Sequence, residues 1–199
     1  MNVLSYTGRA AVAIAAAALP VCTFTAAHAA TTATAPSASQ SVGSGSWGAV
    51  ATLSTAAPYG TGALKLTFTN QGTPGQPTFA PQFFTVGNTG TLPITQATYT
   101  GTAVAPSTVQ YIVESCSTTW NESTGACTSG TTTQVLATPA GSSTVSVTSA
   151  TVPTKPGANL RLRARLASTG SVPNNSTTTL TVGIAVDRTQ VRTATTTSG

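Results

Sequence analysis

Between residues 47 and 186 the apolar residues recur at every second position and nowhere at helical spacing. In the segment 63–69, Leu64, Leu66 and Phe68 alternate with Lys65, Thr67 and Thr69. In 160–166, Leu160, Leu162, Ala164 and Leu166 alternate with Arg161, Arg163 and Arg165. Successive side chains of a strand point to opposite faces, so this pattern gives each segment one buried and one solvated side. Further strands are expected at 47–53, 82–86, 92–104 (one or two), 109–113, 131–137, 144–152 and 177–186, with Gly, Pro, Asn and Ser between them. The segment 70–81, with two Gly and three Pro, reads as a loop. Eight to ten short strands at regular turn spacing predict an all-β domain, an antiparallel two-sheet sandwich of immunoglobulin-like or jelly-roll type.

Composition supports this reading and narrows the function. Only 6% of the 199 residues are charged, while Thr (43) and Ser (20) supply the polar surface. Thr and Val are β-branched and suit a pleated, half-buried surface. The chain is too apolar for a charge-rich disordered protein and too poor in Glu, Lys and Leu for a coiled coil. A net charge of +5 over this length is a weak field, so no specific nucleic-acid partner is expected.

The first 29 residues have the form of a secretory signal. Arg9 is followed by an Ala-rich apolar run, Pro20 breaks it, and Ala27-His28-Ala29 offers small residues at the positions a signal peptidase reads. The run before Pro20 is about half the roughly 20 residues that span a bilayer, so no membrane attachment is expected after cleavage. Losing Arg9, Cys22 and His28 leaves seven basic and three acidic residues, two cysteines and no histidine. Residues 30–46 read as a flexible low-complexity lead-in, 47–192 as one domain and 193–199 as a polar tail. The expected location is extracellular, at a bacterial cell surface.

In an exported chain, Cys116 and Cys127 are expected to form a disulfide closing a hairpin loop. Metal would need two further ligands that the missing histidine cannot supply, so neither metal nor cofactor is expected. The loop presents Trp120, which with Tyr59 is a candidate platform for a sugar ring, while Tyr99 and Tyr111 are expected to pack inside. Arg161, Arg163 and Arg165 line one strand face about 7 Å apart. Such a row would grip a polyanion such as an anionic wall polymer, or serve as a solvated face that deters edge-to-edge pairing; the second reading is preferred. A His-based catalytic triad is ruled out. Glu114 and Glu122 are the only pair of carboxylates a glycosidase could draw on before Asp187, and the disulfide loop holds one of them, so no enzyme is expected.

One stretch carries a family resemblance. Gly62-Ala63-Leu64-Lys65-Leu66, then a loop, then Gln82-Phe83-Phe84-Thr85-Val86-Gly87-Asn88-Thr89-Gly90-Thr91-Leu92-Pro93-Ile94, resembles the secreted TasA/camelysin-type matrix proteins over about forty residues. The resemblance implies a sandwich that polymerises outside the cell, with 30–46 as the segment that would complete a neighbour's sheet. Partners would then be further copies of the chain or other surface proteins. The expected function is a secreted, non-enzymatic, self-assembling structural protein; the alternative is an extracellular module binding glycan or wall polymer.

Overall fold

The computed structural model describes residues 45–73 and 75–186. The expected signal peptide, most of the lead-in, Asp187 and the tail lie outside these residues. Eleven strands are formed: β1 (Ala49–Thr52), β2 (Leu64–Thr69), β3 (Gln82–Asn88), β4 (Ala97–Val104), β5 (Val109–Cys116), β6 (Thr119–Asn121), β7 (Ala126–Thr128), β8 (Thr132–Ala137), β9 (Ser143–Ser149), β10 (Asn159–Ser168) and β11 (Thr177–Val186). Nine of them make two sheets, ordered β1-β3-β10-β5-β8 and β2-β11-β4-β9, and every pairing is antiparallel. β6 and β7 form a separate two-stranded ribbon. The fold is the all-β sandwich that the alternation predicts.

Among these nine strands, only β5 and β8 are sheet neighbours that also follow one another, and the β6–β7 ribbon is inserted between them. Every other connection carries the chain to the opposite sheet. The core therefore forms from segments far apart in sequence. Leu66 and Phe68, Phe84 and Val86, Tyr99, Tyr111 and Val113, Leu162 and Ala164, and Leu180 and Val182 are all buried in one cluster. The Phe68 and Tyr111 rings meet across the two layers with centroids 5.5 Å apart. Tyr99 and Tyr111 are interior, as expected.

Two asparagines at strand ends are as buried as the core. The Asn70 side chain accepts from the amides of Gly72 (2.9 Å) and Thr78 (3.0 Å) and donates to the Val172 carbonyl (2.9 Å), tying the Pro-rich loop to the β10–β11 connection. Asn88 ends β3 by accepting from the Gly90 amide at 2.9 Å and donating to the Leu92 carbonyl. Such fully paired amides are the condition for burying polar groups at no net cost.

The 92–104 segment yields one strand, β4, because Ile94 turns into the core from the preceding loop rather than joining a sheet. Residues 150–152 leave β9 and bury Val152 from a loop.

Candidate functional site

β10 lies between β3 and β5, in the middle of its sheet. Leu162 and Ala164 are fully buried beneath it, and Arg161, Arg163 and Arg165 project from the other face. An interior strand has no free edge, so these arginines do not deter edge pairing; that part of the sequence expectation is corrected.

Register brings carboxylates to the same face. Arg163 stands directly opposite Glu114 of β5 on one side and Phe83 of β3 on the other. One Glu114 oxygen, Oε2, accepts from Arg163 Nη2 at 2.5 Å and from Arg165 Nε at 3.1 Å, and the other, Oε1, from Arg165 Nη2 at 3.0 Å. Arg161 forms a two-pronged pair with Glu122, Nε to Oε1 at 2.7 Å and Nη2 to Oε2 at 3.0 Å, and donates through Nη1 to Thr85 Oγ1. Glu114 is almost wholly buried, whereas the Glu122 side chain is 48% exposed. Burial opposes ionisation of Glu114, but hydrogen bonds from Arg165 and Arg163 and their charges outweigh it and hold the carboxyl below the usual range. Glu122 is also held low, first by its hydrogen bonds from Arg161.

The disulfide loop covers this network. Cys116 is the last residue of β5 and lies two residues beyond Glu114, so the chain leaves β5 on the arginine side. Cys127, in the middle of β7, is bonded to it (S–S 1.99 Å, Cα–Cα 5.5 Å), and the β6–β7 ribbon folds back over β10. The loop is the disulfide-closed hairpin expected from the sequence. Trp120 is half-buried there. Its Nε1 donates to the Arg161 carbonyl at 3.1 Å, its ring lies 4.5 Å from the Arg163 guanidinium carbon, and it tilts against Phe83 at 5.8 Å. Arg163 also donates to the Gly125 carbonyl. Gly125 has φ +77°, a left-handed conformation that favours glycine at the ribbon turn.

Residual charge on this face is small: three guanidinium groups meet two carboxylates. Arg165 keeps 39% of its side chain exposed, the most of the three. A cleft of about 400 Å³ remains beside the ribbon, lined by Trp120, Glu122, Asn159 and Arg161 among others. Among the described residues no three His, Cys, Asp or Glu side chains gather as a metal site would require, and no helix is long and apolar enough to cross a membrane.

Tyr59 departs from expectation. It is not a loop platform but is buried at 6% exposure, its ring seated on Gly87, where a Cβ would come within 2.4 Å. The glycine on β3 is the socket, a feature remote from Tyr59 in sequence. The pairing of Glu114 with Arg163 was equally hidden, since it depends on strand order. Its one local signal is phase: Val109, Tyr111 and Val113 point inward, which turns Glu114 outward.

Comparison with known families, with characterised proteins and with solved structures found no match to this chain.

Proposed function

We propose that the chain is a secreted, non-enzymatic structural protein of a bacterial cell surface or matrix, one that assembles with further copies of itself. The observation that carries this reading is the fate of the residues best suited to ligand chemistry. Arg161, Arg163, Glu114, Glu122 and Trp120 are engaged with one another, and their interactions hold a disulfide ribbon onto a sheet. The two carboxylates a glycosidase would need are each bound by guanidinium groups. A disulfide is compatible with an oxidising extracellular location, the N-terminal signal pattern favours export, and the resemblance to TasA/camelysin-type matrix proteins favours assembly. Sedimentation of the processed protein over a wide concentration range, with and without residues 30–46, tests it. Self-association is expected; a strict monomer in both forms would overturn it.

The cleft beside Trp120 favours a second reading, a module for glycan or uncharged wall polymer, since an indole next to a carboxylate, an amide and a guanidinium suits a sugar ring. Retention on wall material that drops in both Trp120→Ala and Arg161→Ala would favour this reading over the first.

A further inference from the structure

Three of the four sheet edges carry features that hinder pairing with another chain. β1 has four residues. β8 meets β5 across a register shift at Val113/Glu114. β2 exposes Lys65. β9 has none of these. It runs for seven residues, Ser-Thr-Val-Ser-Val-Thr-Ser, without charge, proline or glycine, and pairs with β4 in unbroken register from Ala97↔Ser149 to Ala103↔Ser143. Among the described residues, no strand pairs with its other side. Thr144, Ser146 and Thr148 are exposed on the outer face, and Val145 and Val147 are only half-buried on the inner one. An uncharged, β-branched edge of this length is a template for strand addition.

Its sequence also specifies the partner. Residues 143–149 read identically in both directions about Ser146. Two antiparallel copies related by a two-fold axis at Ser146 would set Ser143 opposite Ser149, Thr144 opposite Thr148, Val145 opposite Val147 and Ser146 opposite itself. This is the self-complementarity that an isologous interface requires. The inner valines would cover one another, and the outer hydroxyls would extend rows already present between β9 and β4. In those rows Thr98 meets Thr148 at 3.2 Å, Thr100 meets Ser146 at 2.9 Å and Thr144 donates to Thr102 at 3.2 Å. A slip of one residue would put the partner's valines on the opposite face of the joined sheet, and a slip of two would leave one valine of each chain facing a serine.

We propose that β9 is a homodimer contact: two copies join along Ser143–Ser149 to make one continuous eight-stranded sheet. The proposal rests on the self-assembly reading above and names its contact. The test uses the processed protein with Cys116–Cys127 intact. Ser146→Cys places two thiols directly opposite, within about 5 Å between Cβ atoms, whereas Thr144→Cys sets them about 14 Å apart along the strands. Mild oxidation is expected to link Ser146→Cys into dimers at least about tenfold faster than Thr144→Cys, while a mixture of Thr144→Cys and Thr148→Cys chains gives the mixed dimer. The double variant Thr144→Lys, Thr148→Lys sets lysine against lysine and should shift the protein to monomer in sedimentation, its thermal midpoint reporting that the fold is kept. Equal linking rates for Ser146→Cys and Thr144→Cys, or an unchanged dimer fraction in a folded double-lysine variant, would overturn the contact. If the parent protein still self-associates in that case, only the β9 contact falls. If the parent is monomeric throughout, the self-assembly reading falls with it.

Discussion

The outer faces of the two sheets solve opposite problems. On the five-stranded sheet, three arginines, two glutamates and a tryptophan are drawn into one network and a disulfide ribbon is laid over them. On the four-stranded sheet, Thr67, Thr100, Thr102, Thr144 and Thr179 stand in cross-strand rows, and among the described residues no ribbon lies over them. Charge needs partners, and partners need a cover that limits water; hydroxyls pair with each other or with water at little cost either way. The first face is therefore largely covered and internally paired, and the second is built of hydroxyls with a single lysine, Lys65, among them. A chain with so few charged residues has concentrated five of them in one place, Arg161, Arg163, Arg165, Glu114 and Glu122, where they pair with one another.

Substitutions should separate the two faces by their size. Replacing both Cys116 and Cys127 with Ser should have the largest effect, about 3 kcal/mol on chain-entropy grounds, read by denaturant unfolding. Glu114→Gln should follow closely at about 2–3 kcal/mol, because two guanidinium groups lose their partner in a largely buried place. Glu122→Gln removes a more exposed pair with a single arginine and should cost less than about 1 kcal/mol, so the two glutamates differ both in burial and in the number of guanidinium partners. On the hydroxyl face, Thr100→Val should change stability by no more than about 0.5 kcal/mol.

Acid sharpens the contrast further. Glu114 and Glu122 are both held below the ordinary carboxylate range. Their contribution is complete above the pKa of an unfolded glutamate, about 4.3, and is lost as pH falls through the lower folded values. The unfolding midpoint should therefore drop on acidification below about pH 4, and Glu114→Gln should flatten that drop. An equally steep drop in Glu114→Gln would place the acid sensitivity elsewhere.

The strands were legible because alternation is a local signal. Leu160, Leu162, Ala164 and Leu166 face inward as their spacing requires. What alternation does not carry is which strands become neighbours. Glu114 and Arg163 are 49 residues apart and meet because β10 enters between β3 and β5. The same fact removed the edge-protection reading of the arginines. β6 and β7, at three residues each, are too short for a period to show. Tyr59 looked exposed because its flanks are turn-like, and the socket that buries it is a glycine on a distant strand. The palindrome of β9 was present in the sequence, but it acquires meaning only once β9 is known to be an edge.

A double-mutant cycle on Glu114→Gln and Arg163→Met measures most directly whether the arginine face holds the fold together. A coupling of about 1 kcal/mol or more is predicted, since both side chains sit under the ribbon and each is the other's partner. Additivity within about 0.3 kcal/mol would mean that the pair contributes nothing of its own, and would contradict the structural role assigned to that face.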